Sequence, residues 1–251
     1  MKKSILILAG LISFLLTSLT QLPAHLLTDR LPAGLPLTLQ GVSGSLWQGS
    51  ASNVSWQQLQ LRNVQWDLHL SALFKGQLAA GLQAQLEGGD LKGTCGVTFA
   101  GKLHCRELTL TDLPAQALQP YLQGFMPLRG KLQADLASLD WAKNTRPNIS
   151  GQLEWQEAGV QMNPRAFGNY TAVFSVDSAG VQQISLNSAP EAAFALDGQG
   201  SVQVDGAYQL SAGLRPNGAL DEDIKQFMAI SVGMPQADGS YHLEKQGNVA
   251  L

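Results

Sequence analysis

Cys95 and Cys105 are the residues whose type and spacing bear most directly on chemistry. They flank a turn at Ala100, and a hairpin symmetric about that residue pairs Val97 with Leu103 and Cys95 with Cys105. Shared odd parity sends all four side chains to one face of the strand pair. Facing thiols in an oxidising compartment are expected to form a disulfide; two buried free thiols are the alternative. A zinc site would need two further ligands, and His104, although adjacent, points to the opposite face.

Other reactive residue types do not converge. His25, His69, His104 and His242 are scattered, and His69 and His104 fall on the outward positions of strand-like runs, where solvated histidines are expected. No G-x-S-x-G elbow, H-E-x-x-H helix or phosphate-binding glycine loop occurs. Gly198-Gln199-Gly200 precedes a strand-like run and is read as a turn. Asp221, Glu222 and Asp223 gather at the start of a helical pattern, where negative charge suits the helix dipole without any catalytic or calcium role. The expectation is a protein without catalytic, metal or cofactor sites, and not an enzyme. The tryptophans at 47, 56, 66, 141 and 155 stand in strand-like context and are expected mostly in the core or on a sheet face.

The elements that would position these residues are strands. Leu78, Ala80, Leu82, Ala84 and Leu86 alternate with small or polar residues, the period-two pattern of a half-buried strand. The same alternation recurs at Val64-Trp66-Leu68-Leu70, Leu128-Leu132-Ala134-Leu136, Ile149-Leu153-Trp155 and Tyr170-Ala172-Phe174-Val176. It continues at Ala192-Phe194-Leu196 and Tyr208-Leu210-Ala212-Leu214. Turn signals at Gly88-Gly89-Asp90, Ala100-Gly101, Asp177-Ser178-Ala179-Gly180 and Asp205-Gly206 separate the runs, as in an antiparallel meander. Two short helices are predicted. One covers Leu113–Leu122 behind Thr111-Asp112, and one covers Asp221–Val232, with Ile224, Phe227 and Met228 on one face and Gly233 and Pro235 as stop signals.

The N-terminus decides the compartment. Between Lys3 and Asp29 there is no formal charge, and Ser4–Leu19 is an apolar run directly after Met1-Lys2-Lys3. Roughly 20 apolar residues span a bilayer core, and Ser4–Ala24 is long enough. A cleaved signal peptide is the alternative, but the best cleavage candidate, Leu22-Pro23-Ala24, has a large Leu where a small residue is wanted. The length of the run favours a retained single anchor at residues 1–25, and the Lys asymmetry places its N-terminus in the cytoplasm. The rest of the chain is then expected beyond the membrane, on the oxidising side.

Charged residues make up 14 % of the chain and the net charge is −3, against about 25 % charged residues in typical soluble domains. With no basic stripe or aromatic RNA motif, nucleic acid is not an expected partner. Gly44-Ser45-Leu46-Trp47-Gln48 echoes Gly151-Gln152-Leu153-Glu154-Trp155-Gln156, a hint of two β-sections, 26–143 and 148–251, on either side of the linker-like Lys143-Asn144-Thr145-Arg146-Pro147. One continuous sheet is the alternative. The expected fold is mainly β: a single N-terminal transmembrane helix, then an elongated, twisted antiparallel sheet with two short helices.

The order of these features resembles a known family. A Lys-flanked apolar N-terminus, Gly-Ser-Leu-Trp-Gln-Gly at 44–49, and Val64-Gln65-Trp66-Asp67-Leu68 leading into Leu73-Phe74-Lys75-Gly76 are similar to the type II secretion system protein N family of Gram-negative bacteria. Met234-Pro235-Gln236-Ala237-Asp238-Gly239-Ser240-Tyr241 is similar to that family's closing turn and strand, so the resemblance covers essentially the whole chain. It implies a single-pass inner-membrane protein with its bulk in the periplasm, an accessory part of the machinery exporting folded proteins across the outer membrane. Other secretion subunits and the inner membrane are the implied partners. The Trp66–Gly76 segment also resembles the start of AsmA-like lipid-transfer proteins, which keeps an apolar lipid-binding groove as the alternative.

Overall fold

The structure is a computed structural model, which describes residues 22–24, 37–56, 59–121, 127–161, 165–218 and 222–248. Its strands are β1 (Leu37–Gln40), β2 (Ser43–Gly44), β3 (Gln48–Trp56), β4 (Leu59–Leu68), β5 (Gln77–Leu86), β6 (Gly89–Thr98) and β7 (Leu103–Pro114). They continue as β8 (Leu128–Trp141), β9 (Asn148–Val160), β10 (Gly168–Val176), β11 (Gln182–Ser188), β12 (Phe194–Val202), β13 (Ala207–Pro216) and β14 (Tyr241–Asn248). All belong to one 14-stranded antiparallel sheet in which β3 to β14 pair in chain order, while β1 and β2 both pair with β3. Among the described residues β1 and β14 are unpaired on their outer sides, so the sheet is open.

Alternation makes these strands, and bulges keep the alternation useful. Along β7 the apolar residues Leu103 and Cys105 are odd, Leu108 and Leu110 even, and Leu113 odd again. The parity changes where β7 gains a residue against β6 and then against β8. At those places Glu107 (φ 51°) and Asp112 (φ 55°) occupy the left-handed region. Each added residue returns the next Leu to the apolar face and increases the local twist. Asn63 (φ 49°) in β4 and Glu157 (φ 48°) in β9 sit at equivalent breaks. A sheet this wide accommodates accumulated twist by curling.

Among the described residues three short helices interrupt the meander: α1 (Leu70–Leu73), a 3₁₀ helix η1 (Ala115–Tyr121) and α2 (Glu222–Ser231). Leu70, expected in a strand, begins α1, because β4 ends at Leu68. The helix expected over Leu113–Leu122 is corrected: Leu113 and Pro114 still belong to β7, Asp112 forms a bulge instead of a cap, and a 3₁₀ turn follows. Residue 122 lies outside the described residues, as does Asp221 at the start of α2. Gly198 and Gly200, expected as a turn, lie inside β12 opposite Ala212 and Leu210. A Cβ at Gly198 would come within 2.9 Å of the Ala212 Cβ, so a missing side chain lets the neighbouring strand's residues fill that place.

Two clusters form the core. Leu113 and Leu132 are buried together with Ala115, the first residue of η1, with Leu86, Leu153 and Trp155 packed against them. Val160, Phe167, Phe194, Ile224, Met228 and Tyr241 form the second, closed by α2, where Phe167 and Phe194 meet edge to face at 5.9 Å. Both lie at the end of the sheet where β7, β9 and β13 finish. Residues 142–147 form the turn joining β8 to β9, which pair along their length, so the sheet runs through the linker-like stretch. The two echoed segments differ in use: Gly151–Gln156 lies within β9, whereas Ser45 to Trp47 turn between β2 and β3.

The apolar run Ser4–Leu19 lies outside the described residues. Among the described residues no helix is long and apolar enough to cross a membrane. Leu22, Pro23 and Ala24, which the sequence reading assigns to the anchor, pair with the β2–β3 turn. Ala24 N–H donates to Gly44 O at 3.0 Å and Leu46 N–H to Leu22 O at 2.8 Å.

Candidate interaction surfaces

Cys95 and Cys105 are register partners in β6 and β7, with Cα atoms 4.0 Å and sulfurs 2.08 Å apart. On the other face, His104 Nδ1 meets Asp140 Oδ1 at 2.5 Å, and Arg106 Nη1 donates to the same oxygen at 3.0 Å. His104 is therefore a half-buried, carboxylate-paired residue and not a freely solvated one. Strand pairing explains this: His104 lies opposite Asp140 across β7 and β8. Burial pushes the Asp140 carboxyl up, but the His104 and Arg106 hydrogen bonds outweigh it and hold the pKa below its ordinary value of 3.8. The three residues make a hydrogen-bonded cross-strand clamp. His242 Nε2 likewise meets Glu244 Oε1 at 3.0 Å, and His69, just past β4, is exposed.

Sequence reasoning placed Arg146 in a linker; the structure buries it to 7 % exposure. Its guanidinium donates to the carbonyls of Gln203 and Gly180 and to Asn148 Oδ1. One side chain thereby ties together the β8–β9, β10–β11 and β12–β13 turns. Gln182, also buried, donates from Nε2 to the carbonyls of Ile149 and Ser175 and accepts from Ile149 N–H. It fills in for ladder bonds past the last β9–β10 pair, Gly151 with Phe174. A polar residue amid a Lys-Asn-Thr-Arg-Pro run gives no local sign that it will be buried, because its acceptors lie 34 and 57 positions away.

One sheet face is apolar across the strands. Leu91, Leu110, Ala134, Leu153, Ala172 and Leu186 are successive register partners from β6 to β11. Most are only partly buried, apart from the two clusters under η1 and α2. The opposite face carries Gln, Ser, Thr and charged residues, and its grooves, such as that lined by Gln183, Gln199, Ser211 and Glu244, are open and polar. Among the described residues no group of three or more His, Cys, Asp or Glu side chains could hold a metal ion. Of the tryptophans, Trp66 and Trp155 are half-buried and donate to the Leu46 and Arg129 carbonyls, while Trp141 is 42 % exposed. Among the described residues β14 presents an unpaired strand edge with exposed Glu244, Lys245 and Gln246.

The family described as "Type II secretion system (T2SS), protein N" matches residues 36–244. A Vibrio cholerae protein named "Type II secretion system protein N" is 31 % identical over 247 residues, which cover 94 % of this chain and 94 % of its own. A protein of the same name from Aeromonas hydrophila is 28 % identical across 99 % of this chain and 100 % of its own. The Klebsiella pneumoniae protein so named is 28 % identical across 85 % and 83 % respectively. No solved structure matches the chain.

Proposed function

Since the chain belongs to the type II secretion system protein N family, we propose that it is an accessory inner-membrane component of that machinery, assisting export of folded periplasmic proteins across the outer membrane. The match over residues 36–244 carries this reading, because it spans nearly the whole sheet. The apolar run Ser4–Leu19 behind Lys2 and Lys3 supports a single anchor with the sheet in the periplasm. An open sheet ending in β14 suits contact with other secretion subunits by strand addition, in which main-chain hydrogen bonds supply affinity. A lipid conduit, the alternative raised by the apolar face, draws no support from the names of the relatives above.

Deletion of the gene tests the role. Release of folded substrates into the medium should fall while their passage across the inner membrane continues, and the native chain should restore release. Normal secretion in the deletion strain, with lipid bound stoichiometrically to the purified protein, would replace the secretion reading with the conduit.

A further inference from the structure

One end of the sheet, opposite η1 and α2, exposes large apolar side chains. Phe74 is 95 % exposed and Phe99 78 %. They lie in the β4–β5 and β6–β7 connections, which meet where Phe99 N–H donates to Gly76 O at 3.1 Å. Leu78 and Val97, both exposed, are register partners just behind them. Folding gives no reason for two aromatic rings to stand in water, and an exposed apolar cluster marks a contact surface.

Two further observations say what covers it. Among the connections at this end, those at 69–76, 99–102 and 142–147 hold Lys75, Lys102, Lys143 and Arg146 and no Asp or Glu, whereas the β10–β11 and β12–β13 turns, farther from Phe74 and Phe99 along the sheet, carry Asp177 and Asp205. Arg146 is turned inward, which leaves three exposed lysines beside the aromatic residues. Aromatic rings interleaved with lysines match a bilayer interface, where rings enter the acyl boundary and ammonium groups reach anionic headgroups. The chain's own course points the same way. Leu22 and Ala24 are hydrogen-bonded to the β2–β3 turn, and Leu68 N–H donates to Trp47 O at 2.6 Å, next to the start of α1. Only Thr20 and Gln21 lie between Leu19, the last of the apolar run, and Leu22, so the two are at most about 11 Å of chain apart.

We propose that this end of the sheet, through Phe74, Phe99 and Lys75, Lys102 and Lys143, docks on the anionic lipid surface that holds the chain's N-terminal apolar run. The proposal rests on the anchored reading above. Docking sets the sheet upright on the membrane, with the η1 and α2 end farthest from it.

Full-length Phe74→Cys, Phe99→Cys and, at the opposite end, Ala237→Cys, each carrying a nitroxide label, test it in vesicles of phosphatidylethanolamine and phosphatidylglycerol. The unsubstituted chain supplies the background from Cys95 and Cys105. Phe74 and Phe99 are exposed, so their replacement leaves the packing intact. Labels at 74 and 99 should be relaxed more by oxygen than by a water-soluble nickel chelate, and the label at 237 should show the reverse. A carbonate wash of the same vesicles separates the two readings. Retained protein with water-exposed labels at 74 and 99 overturns docking and leaves the anchor standing; protein that washes off removes both. Immersion in native membranes but not in these protein-free vesicles overturns the lipid proposal in favour of a protein partner.

Discussion

At Asp140 two influences oppose each other, burial raising the carboxyl pKa and the His104 and Arg106 hydrogen bonds lowering it, with lowering the outcome. A carboxyl whose folded pKa lies below its unfolded value contributes stability above the unfolded pKa, and the contribution is lost as pH falls through the folded value. Asp140→Asn should therefore melt below the native chain at neutral pH, with the gap closing once pH drops below about 4. Thermal melts across that range check it; a gap that is constant with pH would mean the carboxylate charge is irrelevant. The cysteine pair belongs to the same scale. Alkylation of the non-reduced native protein should label neither Cys95 nor Cys105, and reduction should lower stability by about 2 to 3 kcal/mol at most for so short a loop. Labelling of both would refute the pairing. The facing of Cys95 and Cys105 was legible because pairing across a hairpin of ten positions' separation depends only on local parity. Arg146 was not, because its acceptors come from three turns brought together by the sheet.

Elements in this molecule are shaped by bulges as much as by alternation. A non-glycine residue in the left-handed region costs roughly 1 kcal/mol or more, a cost glycine does not carry. Glu107 is exposed and has φ 51°, so Glu107→Gly should raise stability by about 1 kcal/mol, whereas Glu107→Val should lower it. Denaturant titration of the two variants decides this, and equal effects would show that the bulge is not what holds the position. The strand runs β5, β8, β9, β10 and β13 were readable directly, as was α2, whose Ile224 and Met228 are buried in the core. Leu113–Leu122 misled because Thr-Asp-Leu-Pro is at once a capping pattern and a bulged strand end. The parity changes in β7 carry the information, yet a parity change is also what an ordinary turn produces.

At the scale of the whole sheet, the substantial strand contacts among the described residues are between sheet neighbours only, which makes the sheet close to one-dimensional, with each strand supported by the next. The η1 and α2 clusters approach each other near β9 and β10, where Trp155 and Tyr170 lie 6.4 Å apart between ring centres. Phe194→Ala, which opens a cavity costing about 3 to 5 kcal/mol, should raise amide exchange in β10–β14 and α2 far more than in β3–β7. Hydrogen exchange by mass spectrometry reads this out. A uniform loss of protection would instead show one cooperative unit along the sheet.

By itself the sequence determined that the chain is an antiparallel meander with one apolar face, because a period of two follows from local backbone geometry and survives whatever the rest of the chain does. Motif order likewise carried the family. Only the tertiary structure decided that 14 strands join in one open sheet, that Arg146 locks its turns while Gln182 bridges β9 and β10, and that Phe74, Phe99 and three lysines share one end with the start of the fold. Register and edge exposure are properties of pairs of strands, and no single segment of sequence contains them.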